Sequence, residues 1–261
     1  MISRHRSIVA AAGLALAVTA PAFAVNYNVD WMQLSPTAFG SAPPFSGTYS
    51  LPGIGAVQMT YSAHPDFIES RFAVPQLQNG SFPYGSDNYA WTNQECLART
   101  NMGYSGAINS SWFVTYTFSS TIPAGQIVLG TQGLGRRNPN PGETVFDTTT
   151  VATVLQNGTL LGDYINGNNW GATLFTPTAG MFTVENSVTG NGGADPWWNT
   201  GLAVIRIDDA VSSLTVRIDQ TSGDGIGVNI GVITPEPGSL SLLGLGAALI
   251  FNRRRNAARI A

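Results

Sequence analysis

Polar and apolar residues alternate one by one along much of this chain, and no stretch from Val25 to Thr234 keeps apolar residues at i, i+3, i+4 and i+7 for three turns. Period two marks strands with one buried face; the missing 3.6-residue period argues against helices. Residues 112–118 read W-F-V-T-Y-T-F, dense in aromatic and β-branched side chains that suit a pleated surface. Residues 148–156 read T-T-T-V-A-T-V-L-Q, then Asn157-Gly158, then T-L-L-G-D-Y. Asn-Gly between two such runs predicts a hairpin, because both residues tolerate positive φ in a type I′ turn. Three late strands are predicted over 202–207, 214–219 and 226–233. Ala203, Ile205 and Ile207 share one face of the first, and Leu214, Val216 and Ile218 one face of the second. In the third, Gly227 and Gly231 thin one face. Residues 55–62, 69–74 and 181–188 add further strands, and 94–101 a short helix. Many short strands joined by Gly, Pro and Asn turns predict an all-β fold, a two-sheet β-sandwich of jelly-roll-like type.

The two ends break this pattern. The start reads M-I-S-R-H-R, then S-I-V-A-A-A-G-L-A-L-A-V-T-A, then P-A-F-A. That is a basic region, an apolar core and the small residues Ala22 and Ala24 in an A-x-A arrangement, which predicts a signal peptide over 1–24 removed after Ala24 by the secretion machinery. Near the other end, residues 240–251 form an apolar run followed by Asn252 and then Arg253, Arg254 and Arg255. As a helix that run spans about 18 Å against a bilayer core of about 30 Å, a short transmembrane segment. The Arg cluster sets its topology by holding the far end in the cytoplasm. The chain therefore divides into the signal (1–24), a β-sandwich ectodomain (25–233) and a tail (234–261), with residues 234–238 as the linker.

Pro235-Glu236-Pro237, followed at once by the apolar segment and the Arg cluster, resembles the PEP-CTERM sorting signal. Thr234 stands where Val is common, and residues 256–261 extend past the Arg cluster. The resemblance covers only about the last 25 residues. It implies Gram-negative bacteria that make extracellular polysaccharide, and an exosortase, an integral-membrane transpeptidase, as the partner that reads Pro235, Glu236 and Pro237. It also implies a transient inner-membrane intermediate, then the cell surface or extracellular matrix.

Charge narrows the rest. All 12 basic residues are Arg, and the segment 25–234 holds six of them against 14 acids, a formal charge of 6 − 14 = −8. An acidic domain without Lys repels phosphate backbones, which argues against nucleic acid as a partner. About 210 residues suffice to bury a core without staples. Cys96 is the only cysteine, so no internal disulfide forms, and it is read as a buried, inert thiol.

Candidate chemistry is sparse. His64, with Asp66 and Glu69 nearby, matches no zinc spacing. There is no G-x-S-x-G, Ser/Lys pair or phosphate loop, so no catalytic residue is assigned and no cofactor is expected. A glycoside hydrolase needs only two opposed carboxylates, and Asp66, Glu69, Glu95, Glu143, Asp147 and Glu185 supply candidates without selecting a pair. Asp208, Asp209, Asp219 and Asp224 surround two consecutive turns and are weak calcium candidates, although Asp in turns also bonds its own backbone. Trp170, Trp197 and Trp198 lie in Asn/Gly-rich stretches and are candidates for stacking on sugar rings, or for capping the ends of the sandwich. The first reading is a non-catalytic structural or adhesion component of the polysaccharide matrix. A carbohydrate-binding module is the second and a secreted hydrolase the third.

Overall fold

The computed structural model describes residues 24–34, 45–63, 70–71, 78–94, 99–100, 109–138, 148–164, 172–191, 200–221 and 226–236. Strands, numbered in chain order, form two large sheets, and no helix occurs among the described residues. One sheet runs β12 (Gly158–Tyr164), β16 (Leu202–Ile207), β9 (Ile127–Gln132), β18 (Gly227–Pro235), β1 (Asn26–Trp31), β6 (Asp87–Gln94) and β5 (Gln78–Tyr84). The main path of the other runs β13 (Thr173–Thr178), β14 (Met181–Asn186), β11 (Thr148–Val154), β17 (Val211–Thr221), β8 (Asn109–Ile122), β3 (Gly55–Ala63) and β2 (Phe45–Leu51). β10 (Arg136–Asn138) pairs with β11, and β15 (Gly190–Asn191) pairs with β10, while β4 (Ser70–Arg71) and β7 (Arg99–Thr100) make a separate ribbon. Consecutive strands change from one large sheet to the other at β1 to β2, β8 to β9, β9 to β10, β11 to β12, β12 to β13, β15 to β16, β16 to β17 and β17 to β18. This gives an all-β, sandwich-like arrangement.

Alternation explains the inter-sheet core. Leu214, Val216 and Ile218 on β17 and Val114 and Tyr116 on β8 are buried against Leu129, Ile205, Val228 and Ile230 of the seven-stranded sheet. Their neighbours Thr215, Arg217 and Phe113 face outward.

The seven-stranded sheet departs from alternation. Its central strands are buried on both faces, and a second apolar cluster, Val29, Trp31, Phe82, Tyr89, Trp91, Val128, Leu161, Leu202 and Val204, covers the face turned away from the sandwich core. The sheet achieves this by curling until its edge strands β12 and β5 touch. A Cβ on Gly162 of β12 would lie 2.8 Å from Cδ2 of Phe82 on β5. Inside the curl, Trp31 meets Trp91 edge-on at 6.2 Å and Phe82 meets Trp91 at 5.8 Å. Glycine makes the room, since a Cβ at Gly80 would strike Trp91, and one at Gly130 or Gly231 would crowd Trp31. Truncating a buried Trp of this kind to Ala costs about 3–5 kcal/mol.

Three local expectations change. Asn157-Gly158 does not close a hairpin, because β11 pairs with β14 and β17 while β12 pairs with β16 in the other sheet. Gly158 is there for packing: a Cβ would stand 2.7 Å from Phe182. The helix expected over 94–101 is replaced by strand at Gln94 and at Arg99–Thr100, with residues 95–98 outside the described residues. Residues 234 and 235, expected in a linker, are the end of β18.

Candidate functional site

The sequence feature with the most specific chemistry, the Pro-Glu-Pro segment, begins inside the folded domain. β18 pairs antiparallel with β1, placing Asn28 opposite Thr234 and Tyr27 opposite Pro235. The Glu236 N–H donates to the Asn26 carbonyl at 2.9 Å, so the adjoining Tyr27–Pro235 pair is the one that exchanges no backbone bonds. On its other side β18 makes its last tie to the β9 side where the Ile233 N–H donates to the Gln126 carbonyl at 3.0 Å. Position 235 therefore lies past the end of β9, where a strand residue needs no N–H, and proline fits without loss. Thr234 Oγ1 donates to Asp30 Oδ2 at 2.9 Å and pins the same segment from its side chain.

Residues 234–255 match the family model described as the PEP-CTERM protein-sorting motif. The tail carries a PEP-CTERM sorting motif. It marks an exported protein that an exosortase recognises at the membrane and that is delivered to the cell surface or beyond. No curated protein and no solved structure matches the chain. Pro237 and the topology residues Arg253, Arg254 and Arg255 lie outside the described residues, as do both apolar end segments.

The start of β1 completes the surroundings of the motif. Ala24 is exposed, and Val25 after it is held on both sides of its backbone. Its N–H donates to Asp87 Oδ1 at 3.1 Å, and its carbonyl accepts from the Asn88 N–H at 3.1 Å. Tyr27 stacks on Tyr89 at 5.0 Å and 13°, and Phe82 stacks on the same ring at 5.7 Å. Burial pushes the Tyr89 hydroxyl above its ordinary range; Tyr27 and Asp87 push the same way and Arg206 opposes them. Arg206, the last residue but one of β16, lies at this rim and donates to Asp208 Oδ1 at 2.7 Å, a bond that raises its pKa. Tyr84, 38% exposed, is the open aromatic of the group.

The remaining candidates separate. Trp170, Trp197, Trp198, Ala22, His64, Cys96, Asp66, Glu69, Glu95, Glu143, Asp147 and Asp224 lie outside the described residues. Asp208 and Asp209 sit just before β17, while Asp219 lies near its far end, about 26 Å along the strand from its first residue, Val211. Asp208 accepts from Arg206 and Thr159 Oγ1, Asp209 from Asn157, and Asp219 from Arg217 and Ser111. Among the described residues no three of His, Cys, Asp and Glu form a group that could hold a metal ion. Glu185 is half-buried on β14. Tyr27, Asp87, Tyr89 and Arg206 were not singled out by sequence reasoning. Asn26–Trp31 reads N-Y-N-V-D-W, a period-two pattern that does predict β1 and the inward face of Tyr27.

Proposed function

We propose that this is a non-catalytic structural or adhesion component of the extracellular polysaccharide matrix. In this reading the signal is removed after Ala24, the apolar run over 240–251 holds the chain in the inner membrane with Arg253 to Arg255 inside, and an exosortase then acts at Pro235-Glu236-Pro237. The observation that supports the non-catalytic role is that five of the described carboxylates are engaged in structural hydrogen bonds. Asp30, Asp163, Asp208, Asp209 and Asp219 each accept a hydrogen bond that ties strand to strand or turn to turn. Fractionating a producing culture tests it. The protein should sediment with the matrix and leave it when polysaccharide synthesis is blocked. Release of reducing ends from purified matrix polysaccharide by the protein would replace this reading with a hydrolase.

A second reading, a carbohydrate-binding module, is favoured by the rim of Tyr27, Tyr84 and Arg206 beside Asp208, which offers aromatic surface next to charged hydrogen-bonding groups. Tyr84→Ala should then lower affinity for soluble matrix polysaccharide without lowering the melting temperature. Unchanged affinity removes the rim from consideration.

A further inference from the structure

We propose that Asp87 is the docking partner of the α-amino group that signal removal creates at Val25, and that this contact locks in place the strand against which the sorting motif is held.

Hydrolysis of the Ala24–Val25 bond takes up one water. Ala24 leaves with the new carboxylate, and Val25 keeps the nitrogen, which is protonated at neutral pH because an α-amino group titrates at about 7.7–8.0. Before the cut, that nitrogen is an amide with a single N–H, donated to Asp87 Oδ1 at 3.1 Å. After it, the same nitrogen is an ammonium facing a carboxylate, so a hydrogen bond with one ionised partner becomes an ion pair with two. The site is already built around the position. Ser86 Oγ donates to the same Oδ1 at 3.3 Å, and the Asn88 N–H holds the Val25 carbonyl at 3.1 Å, so nitrogen and carboxylate are kept in register. β1 lies between β6, which carries Asp87, and β18, which carries Thr234 and Pro235. Fastening Val25, the residue before β1, to β6 therefore fastens the adjoining Asn26 carbonyl that accepts from Glu236. The first processing event strengthens the sheet on which the second processing signal rests.

The inference rests on removal of the signal after Ala24, which amino-terminal sequencing of the exported chain checks separately; a start other than Val25 overturns it. It is independent of the matrix role, since loss of matrix retention would leave the contact intact. The decisive measurement compares the processed chain from Val25 to Ala261 in detergent, with a free or an acetylated α-amino group, in the wild type and in Asp87→Asn. Acetylation restores a neutral amide at Val25 without adding a residue. In the wild type it should lower the melting temperature by about 1–4 °C. It should also speed hydrogen exchange at the Glu236 amide by roughly two- to fivefold. In Asp87→Asn acetylation should change neither quantity. Equal effects of acetylation in both backgrounds, or none in the wild type, would overturn the proposal.

Discussion

A Cβ on Gly130 would stand 2.8 Å from both Cη2 and Cζ3 of Trp31, so the glycine of β9 and the tryptophan of β1 fit as one unit inside the curl. The tryptophan has nowhere to go, because Trp91 meets it edge-on and Leu202 closes on the same glycine. Gly130→Ala should therefore destabilise the domain by about 1–3 kcal/mol, the usual cost of overpacking. Trp31→Phe removes the ring atoms that the new methyl group meets. The double variant should accordingly lose clearly less than the sum of the single losses in urea denaturation. Strict additivity would mean that the two residues do not share the space.

Asp163 gives an electrostatic test at the edge of the same sheet. Burial raises its carboxyl above the ordinary 3.8, and the hydrogen bonds from Thr173 only partly offset this. A carboxyl raised on folding favours the folded state when protonated, and that advantage is lost as pH climbs through the folded pKa. Asp163→Asn keeps an acceptor for the Thr173 N–H, now at 2.9 Å from Oδ2, and removes the charge. The variant should melt higher than the wild type at neutral pH, and the two should converge well below 3.8. A gap that persists in acid would point to packing instead of charge.

Asn157 joins three turns. Its Nδ2 donates to both oxygens of Asp209 at 3.0 and 3.2 Å, its Oδ1 accepts from the Gly180 N–H at 2.9 Å, and its carbonyl accepts from the Asp208 N–H at 2.9 Å. The bonds from its side chain, and then from its backbone N–H, hold the Asp209 carboxyl below 3.8. A depressed carboxyl contributes stability above its unfolded pKa and loses it as pH falls through the folded one. In Asn157→Ala the side-chain bonds vanish and the backbone bond stays, so Asp209 should titrate closer to 3.8 by carbon-detected NMR. An unmoved titration would assign the shift to the backbone alone.

How far these features were legible depends on whether a residue's surroundings are local. The alternation around Leu214, Val216 and Ile218 predicts that strand and its buried face, because one face meets one core, whereas Leu202–Ile207 is read as a strand but meets a core on each face. The curl is not written that way. It depends on Phe82 reaching Gly162 from a distant part of the chain, and a glycine that clears space for an aromatic ring reads in sequence like one that makes a turn. Asn157-Gly158 shows the same ambiguity: Gly158 makes room for Phe182, and Asn157 bonds turns outside any hairpin. The sorting motif is legible because its order of motif, apolar run and Arg cluster is linear. Its attachment to β1 is not, because Pro235 and Pro237 suggest a linker unless the pairing partner is known.

That attachment decides how the motif should be mutated. Replacing Pro235, Glu236 and Pro237 together by Ala leaves the Thr234 side-chain bond to Asp30 and the backbone bond from residue 236 to Asn26 available. Alanine at 235 adds only an N–H that points past the end of β9 into solvent. The domain should therefore melt within about 0.5 kcal/mol of wild type, the usual range for surface changes. Any sorting defect can then be assigned to recognition and not to misfolding. Export should continue while the full-length chain accumulates in the inner membrane, read by membrane fractionation and intact mass. Truncation should behave differently at two neighbouring points. Ending the chain after Glu236 keeps the bond to Asn26 and should release a stable domain. Ending it after Thr234 removes that bond together with Pro235, which should loosen the start of β1 and speed amide exchange over Asn26–Trp31. If the triple variant is processed and located like the wild type, Pro235, Glu236 and Pro237 play no part in sorting, and an exosortase reads something else in the tail.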